Sequence, residues 1–164
     1  MMTIITMLTD HWEAVKIIYE QGIDTGNATF ETAAPSWQAW NSAHLKTCRI
    51  IAIENDEVLG WAALTPVSSR CVYAGVAEVS VYVAANARGK NVGSRLLHEL
   101  ISQSEQDGIW TLQSGIFPEN NASIAIHEKN GFRIIGYRER IGKMGDIWRD
   151  NILMERRSSK IGID

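Results

Sequence analysis

Along this chain, short runs of alternating apolar and polar residues trade places with stretches whose apolar residues recur every three or four positions. The first pattern predicts half-buried strands and the second amphipathic helices. Thr3–Leu8 predicts an opening strand. A helix follows from His11 to about Gln21, with Trp12, Val15, Ile18 and Tyr19 on its apolar face, a cap from Thr9 or Asp10, and Gly22 as its stop. Asp24–Phe30 predicts a polar loop. Ser36 caps a second amphipathic helix with Trp37, Trp40 and Leu45 on one side. Arg49–Glu54 and Val58–Leu64, joined through Asn55-Asp56-Glu57, predict a β-hairpin that Pro66 stops.

The second half repeats the alternation. Val67–Gly75 is a loop leading into Glu78–Val83, a strand rich in β-branched residues. A turn, Arg88-Gly89-Lys90-Asn91-Val92-Gly93, opens a helix from Ser94 to about Gln106 that Asp107-Gly108 end. Trp110–Ile116 predicts a strand, about Ala122 to Lys129 a helix, and Phe132–Tyr137 with Asp146–Glu155 a paired set of strands. Strands and helices that interleave, with no repeat or linker, predict one layered α/β domain around a mixed sheet. We place that domain at 1–156 and a flexible tail at 157–164.

The basic turn is the first chemical signal. Between a strand and a helix it can point several backbone N–H groups at one anion, with the positive end of the helix dipole behind them and Arg88 and Lys90 adding charge. It is neither a P-loop, because Gly93 is followed by Ser94-Arg95, nor a dinucleotide fingerprint, because only Gly89 and Gly93 are present. A solvated strand-to-helix connection is the plain alternative.

Composition narrows the partners. With 16 basic and 19 acidic residues the net charge is −3, which gives no support to general affinity for nucleic acid or anionic membranes. Any basic site is local. Cys48 and Cys71 lie far apart without metal-like spacing, and Cys71 beside Arg70 has no His/Asn signature of a nucleophile. His11, His44 and His98 fall on unrelated segments, so no metal is expected. Neither a signal peptide nor a membrane span is read, and a cytoplasmic chain is the expectation.

A second signal stands about thirty residues past the turn: Asn120-x-x-Ser123-x-x-x-His127-x-x-x-Gly131-Phe132. Ser123 and His127, four apart, share one helix face. Taken with the turn, the order strand, basic turn, helix, strand, Asn-led helix, Gly-Phe strand resembles the GNAT acyl-CoA N-acetyltransferases. Ala28–Thr32, Arg70-x-x-Tyr73, Ala77–Val83 and Asn121–Glu128 resemble the phosphinothricin and methionine sulfoximine acetyltransferase branch. The resemblance implies a mixed, mostly antiparallel sheet flanked by helices, with acetyl-CoA in a gap beside the central strand and no metal. Main-chain groups of Val81, Tyr82 and Val83 would meet the pantetheine arm. Arg88, Gly89, Lys90, Asn91, Val92, Gly93 and Ser94 would hold the pyrophosphate, and Asn120 and Ser123 would flank the arm. A homodimer is implied too, with Trp110 or Trp148 covered.

Transfer to an amine requires that amine to be neutral, hence a base within reach. Glu78 matches the branch's acidic residue; an edge glutamate in a salt bridge is the alternative reading. His127 stands where many relatives carry a tyrosine that protonates the leaving thiolate, and imidazole could be that acid, an accessory base, or a satisfied helix histidine. Arg70 and Tyr73 suit a carboxylate or phosphinate, and Phe30 could close the pocket or belong to the core. Three positions depart from the family: Asn91 replaces a glycine, Val76 a threonine, and Met144–Asp150 lacks a lysine. The expected activity is acetyl transfer to a small amino-acid-like amine. The alternatives are another amine, such as a polyamine or protein N-terminus, or a CoA-binding module without turnover.

Overall fold

The computed structural model describes all 164 residues, Met1–Asp164. Its sheet has seven strands: β1 (Thr3–Thr6), β2 (Ile50–Glu54), β3 (Glu57–Pro66), β4 (Val76–Val83), β5 (Thr111–Ile116), β6 (Arg133–Met144) and β7 (Ile147–Arg157). They are ordered β1-β2-β3-β4-β5-β7-β6, and every neighbouring pair is antiparallel except β4–β5. The expected mixed, mostly antiparallel sheet is present.

Helices cover both faces. α1 (Trp12–Asp24) and α2 (Trp37–Ala43) lie on one; α3 (Val92–Gln106) and α4 (Asn121–Lys129) lie on the other. The pleat of β3 shows the division: Trp61 faces the α1/α2 side, stacked 4.9 Å from Tyr82, while Gly60 backs onto Val92 and Leu96 of α3. Leu96, Leu97 and Leu100 of α3 are fully buried with Ile50, Ile51 and Leu64 of the sheet. Each such leucine contributes about 1.5–3 kcal/mol. No helix is long and apolar enough to cross a membrane.

Several local expectations change. Gly22 does not stop α1, which runs on to Asp24. A Cβ at Gly22 would stand 2.6 Å from the Tyr82 ring, so this glycine lets an aromatic side chain of β4 press against the helix backbone. Neither Thr9 nor Asp10 caps α1: a 3₁₀ turn over Thr9–His11 leads into it. α2 ends at Ala43, before Leu45, and β6 continues past Tyr137 to Met144, making a long hairpin with β7.

The expected tail is tied down over its first part. β7 extends to Arg157, and buried Ser158 donates its hydroxyl to Glu105 of α3 at 2.8 Å. Arg156 and Lys160 reach the same carboxylate at 3.1 and 3.4 Å. Burial pushes the Glu105 carboxyl up, but Ser158, Arg156 and Lys160 outweigh it and hold the group below its ordinary value.

Tyr82 forms a three-ring cluster with Tyr19 and Trp61, centroids 4.9, 4.9 and 5.8 Å apart, so a larger residue at Gly22 has to displace a packed ring. Gly22→Val should cost about 1–3 kcal/mol by overpacking, read as a lower midpoint in chemical denaturation.

Candidate active site

β4 and β5 pair over only three positions, Val76–Thr111, Ala77–Leu112 and Glu78–Gln113. Past them each strand keeps its outer neighbour, β4 following β3 to the Val83–Gly60 pair and β5 following β7 to Ile116–Ile152. The inner edges therefore separate. Backbone along Val79–Val83 has β3 on one side and no strand on the other. A cleft of about 1530 Å³ occupies the gap. An extended ligand can add itself to such an edge as a strand would.

The two walls belong to opposite faces of the sheet. Val81 and Val83 point towards Gly93 of α3, whereas Tyr82 turns the other way and stacks on Tyr19 of α1. Glu78 shares the parity of Tyr82, so it points to the α1/α2 side, at the fork where the strands part. Glu78 is solvent-exposed, and its Oε2 accepts a hydrogen bond from Gln113 Nε2 at 3.3 Å.

On the α3/α4 side the chain leaves β4, passes a 3₁₀ turn over Ala85–Ala87, and reaches α3 through Gly89 (φ +77°) and Asn91 (φ +64°). Asn91 takes the left-handed conformation a glycine would supply, and asparagine tolerates it better than most side chains. Its Oδ1 faces Lys129 Nζ of α4 at 3.5 Å. Arg88, Gly89, Asn91, Val92, Gly93 and Ser94 line the cleft; Lys90 is exposed outside it. The first N–H groups of α3 have no acceptor within the helix, and with the dipole they make an anion seat. Gly93 is required by close packing, since a Cβ there would lie 3.2 Å from Ile126 and 3.3 Å from Val83.

Asn120 caps α4: its Oδ1 accepts from Ser123 N–H at 3.2 Å while its Nδ2 donates to the Asn27 carbonyl at 3.1 Å. One amide thus joins α4 to the loop after α1. His127, only 3% exposed, donates from Nδ1 to the Ser123 carbonyl at 2.7 Å and packs edge-on against Phe132. That bond fixes the tautomer, so Nε2 carries the lone pair, and it is buried without a partner. Burial pushes the imidazole below its ordinary value, only partly offset by the Ser123 carbonyl. The buried ring thus favours its neutral form.

On the α1/α2 side Phe30 lines the cleft, 4.8 Å from Phe117 and pressed against Gly142 of β6. Arg70 and Tyr73 do not line it. They sit on an exposed 3₁₀ turn before β4, with the guanidinium 5.5 Å over the phenol ring. In their place β6 and β7 bring Arg138, Ile141, Gly142 and Asn151 to the cleft. A strand that begins over Phe132–Tyr137 does not say which way the residues beyond it face, so these residues carried no signal of a site.

A family model for the acetyltransferase (GNAT) family matches residues 12–132. The chain belongs to that family. Among its GNAT relatives is a phosphinothricin N-acetyltransferase of Streptomyces coelicolor, 36% identical over 96 residues, or 58% of this chain and 56% of that enzyme. An L-methionine sulfoximine/L-methionine sulfone acetyltransferase of Pseudomonas paraeruginosa is 33% identical over 121 residues, 72% of this chain and 70% of its own. The crystal structure of a GNAT phosphinothricin acetyltransferase from Sinorhizobium meliloti in complex with AcCoA superposes with a TM-score of 0.86. It is 26% identical and covers 95% of this chain and 88% of the other. The protein is accordingly an acetyl-CoA-dependent N-acetyltransferase, and the cleft suits that cosubstrate: an unpaired strand edge for an extended arm and a helix N-terminus for its phosphates.

The His127 protonation state has a thermodynamic consequence. An unfolded imidazole takes up a proton near pH 6.5, whereas the buried one, with its lowered value, does not. Its contribution is intact above that pH and is lost as pH falls from about 6.5 towards the lowered folded value. Denaturation midpoints measured from pH 7.5 to 5 should fall, and His127→Gln should flatten that slope. Half-buried His44, also lowered by desolvation, contributes slope of the same sign.

Proposed function

We propose that this enzyme acetylates the primary amine of a small amino-acid-like acceptor of the phosphinothricin or methionine sulfone class, by direct attack within a ternary complex. Acetyl-CoA supplies the thioester. The single observation that carries the reading is the fork between β4 and β5, with the diphosphate seat on one face and Glu78 on the other. Cosubstrate and acceptor can therefore approach from opposite sides of the sheet. In this reading an amide N–H of the Val81–Val83 edge polarises the thioester carbonyl and holds the developing oxyanion. Glu78 takes the proton from the acceptor's ammonium, directly or through one water. His127 has its Nε2 shut off from the cleft surface, so in this reading it shapes α4 through Ser123 and Phe132 and touches neither substrate.

The names of the relatives support the acceptor class. Arg70 and Tyr73 give it less support than the sequence suggests, because they stand outside the cleft. The reading includes a homodimer, supported by the exposed apolar side chains Ile134, Ile135, Tyr137, Ile147 and Trp148 on the β6–β7 hairpin. Trp110 needs no partner to cover it, since its ring packs over Gly75 within the chain.

Release of free thiol from acetyl-CoA with methionine sulfone, methionine sulfoximine and phosphinothricin tests the activity. Glu78→Gln should lower kcat/KM at neutral pH by roughly 100-fold or more. The residual rate should climb about tenfold per pH unit as more acceptor becomes neutral without help. An unaltered pH profile would remove Glu78 as the base. Light scattering of the eluting protein should give twice the chain mass, and Trp148→Glu with Ile147→Glu should halve it.

A further inference from the structure

We infer that Arg138 is the residue that binds the acceptor's two-oxygen anion, carboxylate or phosphinate, and that Arg70 is not. This rests on the amino-acid acceptor proposed above. Two cationic side chains line the cleft, Arg88 and Arg138. Arg88 belongs to the turn at the diphosphate seat. Arg138 is on the acceptor side, and its guanidinium makes no hydrogen bond or ion pair within the chain. Arg149, on the neighbouring strand, is the contrast: it donates to the Gly26 carbonyl and Asn27 Oδ1, each at 2.8 Å, and lies 4.0 Å from the Phe117 ring. One arginine builds the wall and the other is left for a ligand.

The strand geometry aims Arg138. In the β6–β7 ladder Arg138 pairs with Asn151 and Gly142 with Arg149, so β6 holds two extra residues between those pairs. Asp150 pins the resulting bulge, accepting the Arg140 N–H at 2.8 Å and the Tyr137 hydroxyl, with Arg140 at φ +49°. Nearer the start of β6 one extra residue lies between the Ile134–Met154 and Gly136–Leu153 pairs, and that shift of one decides which face Arg138 takes. Glu78, Gln113 and Glu155 form one cross-strand row, and Asn151 is four residues from Glu155, so Arg138 shares the face of Glu78. Four residues along the strands and three strand spacings put their Cα atoms roughly 19 Å apart. Both side chains stand off the same face of the sheet, so an acceptor lying over that face can meet Glu78 at one end and Arg138 at the other. A guanidinium takes a two-oxygen anion through paired N–H bonds.

Two matched comparisons test this and separate the possible anions. The first sets methionine sulfone against its primary carboxamide, which removes the α-carboxylate charge. The second sets phosphinothricin against methionine sulfone, which removes the distal charge at nearly constant shape. Arg138→Gln should reduce one of these two kcat/KM preferences by roughly 10- to 100-fold. Arg138→Lys should restore part of it, and acetyl-CoA affinity by titration should stay within twofold in both variants. Whichever ratio collapses names the anion. Both ratios unchanged in Arg138→Gln, or the collapse appearing in Arg70→Gln instead, would overturn the assignment. Should the parent enzyme bind acetyl-CoA yet turn over none of these acceptors, the acceptor class itself fails and the Arg138 assignment with it. That outcome is distinct from turnover without charge discrimination.

Discussion

A parallel strand pair normally gains with every added residue, yet β4 and β5 stop pairing after three. The reason lies in the competition for partners. β4 is bound along its whole length to β3, β5 to β7, and the two ladders lead in different directions. What would have been buried strand edge becomes lining, and nothing else in the fold supplies a site. Helix α3 starts where it does because β4 ends beside the gap, and Glu78 is at the fork because it is the last paired residue of its strand.

The walls are held rigid by contacts that also carry the core. Tyr82 is at once a residue of the open strand and a member of an aromatic cluster with Tyr19 and Trp61, seated against the bare backbone of Gly22. Asn120 ties α4 to the loop after α1, and Arg149 ties that loop to β7. Both sides of the cleft are thereby set before any ligand arrives, which lowers the ordering cost of binding.

Much of this was legible in the sequence because it rests on local chemistry. The basic turn that opens α3 and the face of α4 shared by Ser123 and His127 follow from residue type and spacing of four or fewer, whereas both ends of the Asn120 amide are taken by Ser123 and Asn27. Gly22 misled because a glycine after a helical run reads equally as a stop or as a contact, and only the position of Tyr82 distinguishes them. Arg70 and Tyr73 drew attention through a motif, but a motif does not say which way a loop faces. Arg138 gave no warning, since its face is set by one extra residue between Ile134 and Gly136 that shifts the register against β7, and alternation alone does not show such a shift.

The clasp on Glu105 bears on how the protein can be handled. Ser158, Arg156 and Lys160 close over the C-terminal turn of α3, whereas the cleft-lining N-terminus of that helix is roughly 20 Å away by helix rise. A fluorophore, surface tether or fused domain joined after Asp164 would therefore leave the molecule beside Trp110 and clear of the cleft mouth. Attachment at the opposite terminus is less neutral: Met1 and Met2 adjoin Asn91 and Lys129, next to the seat itself.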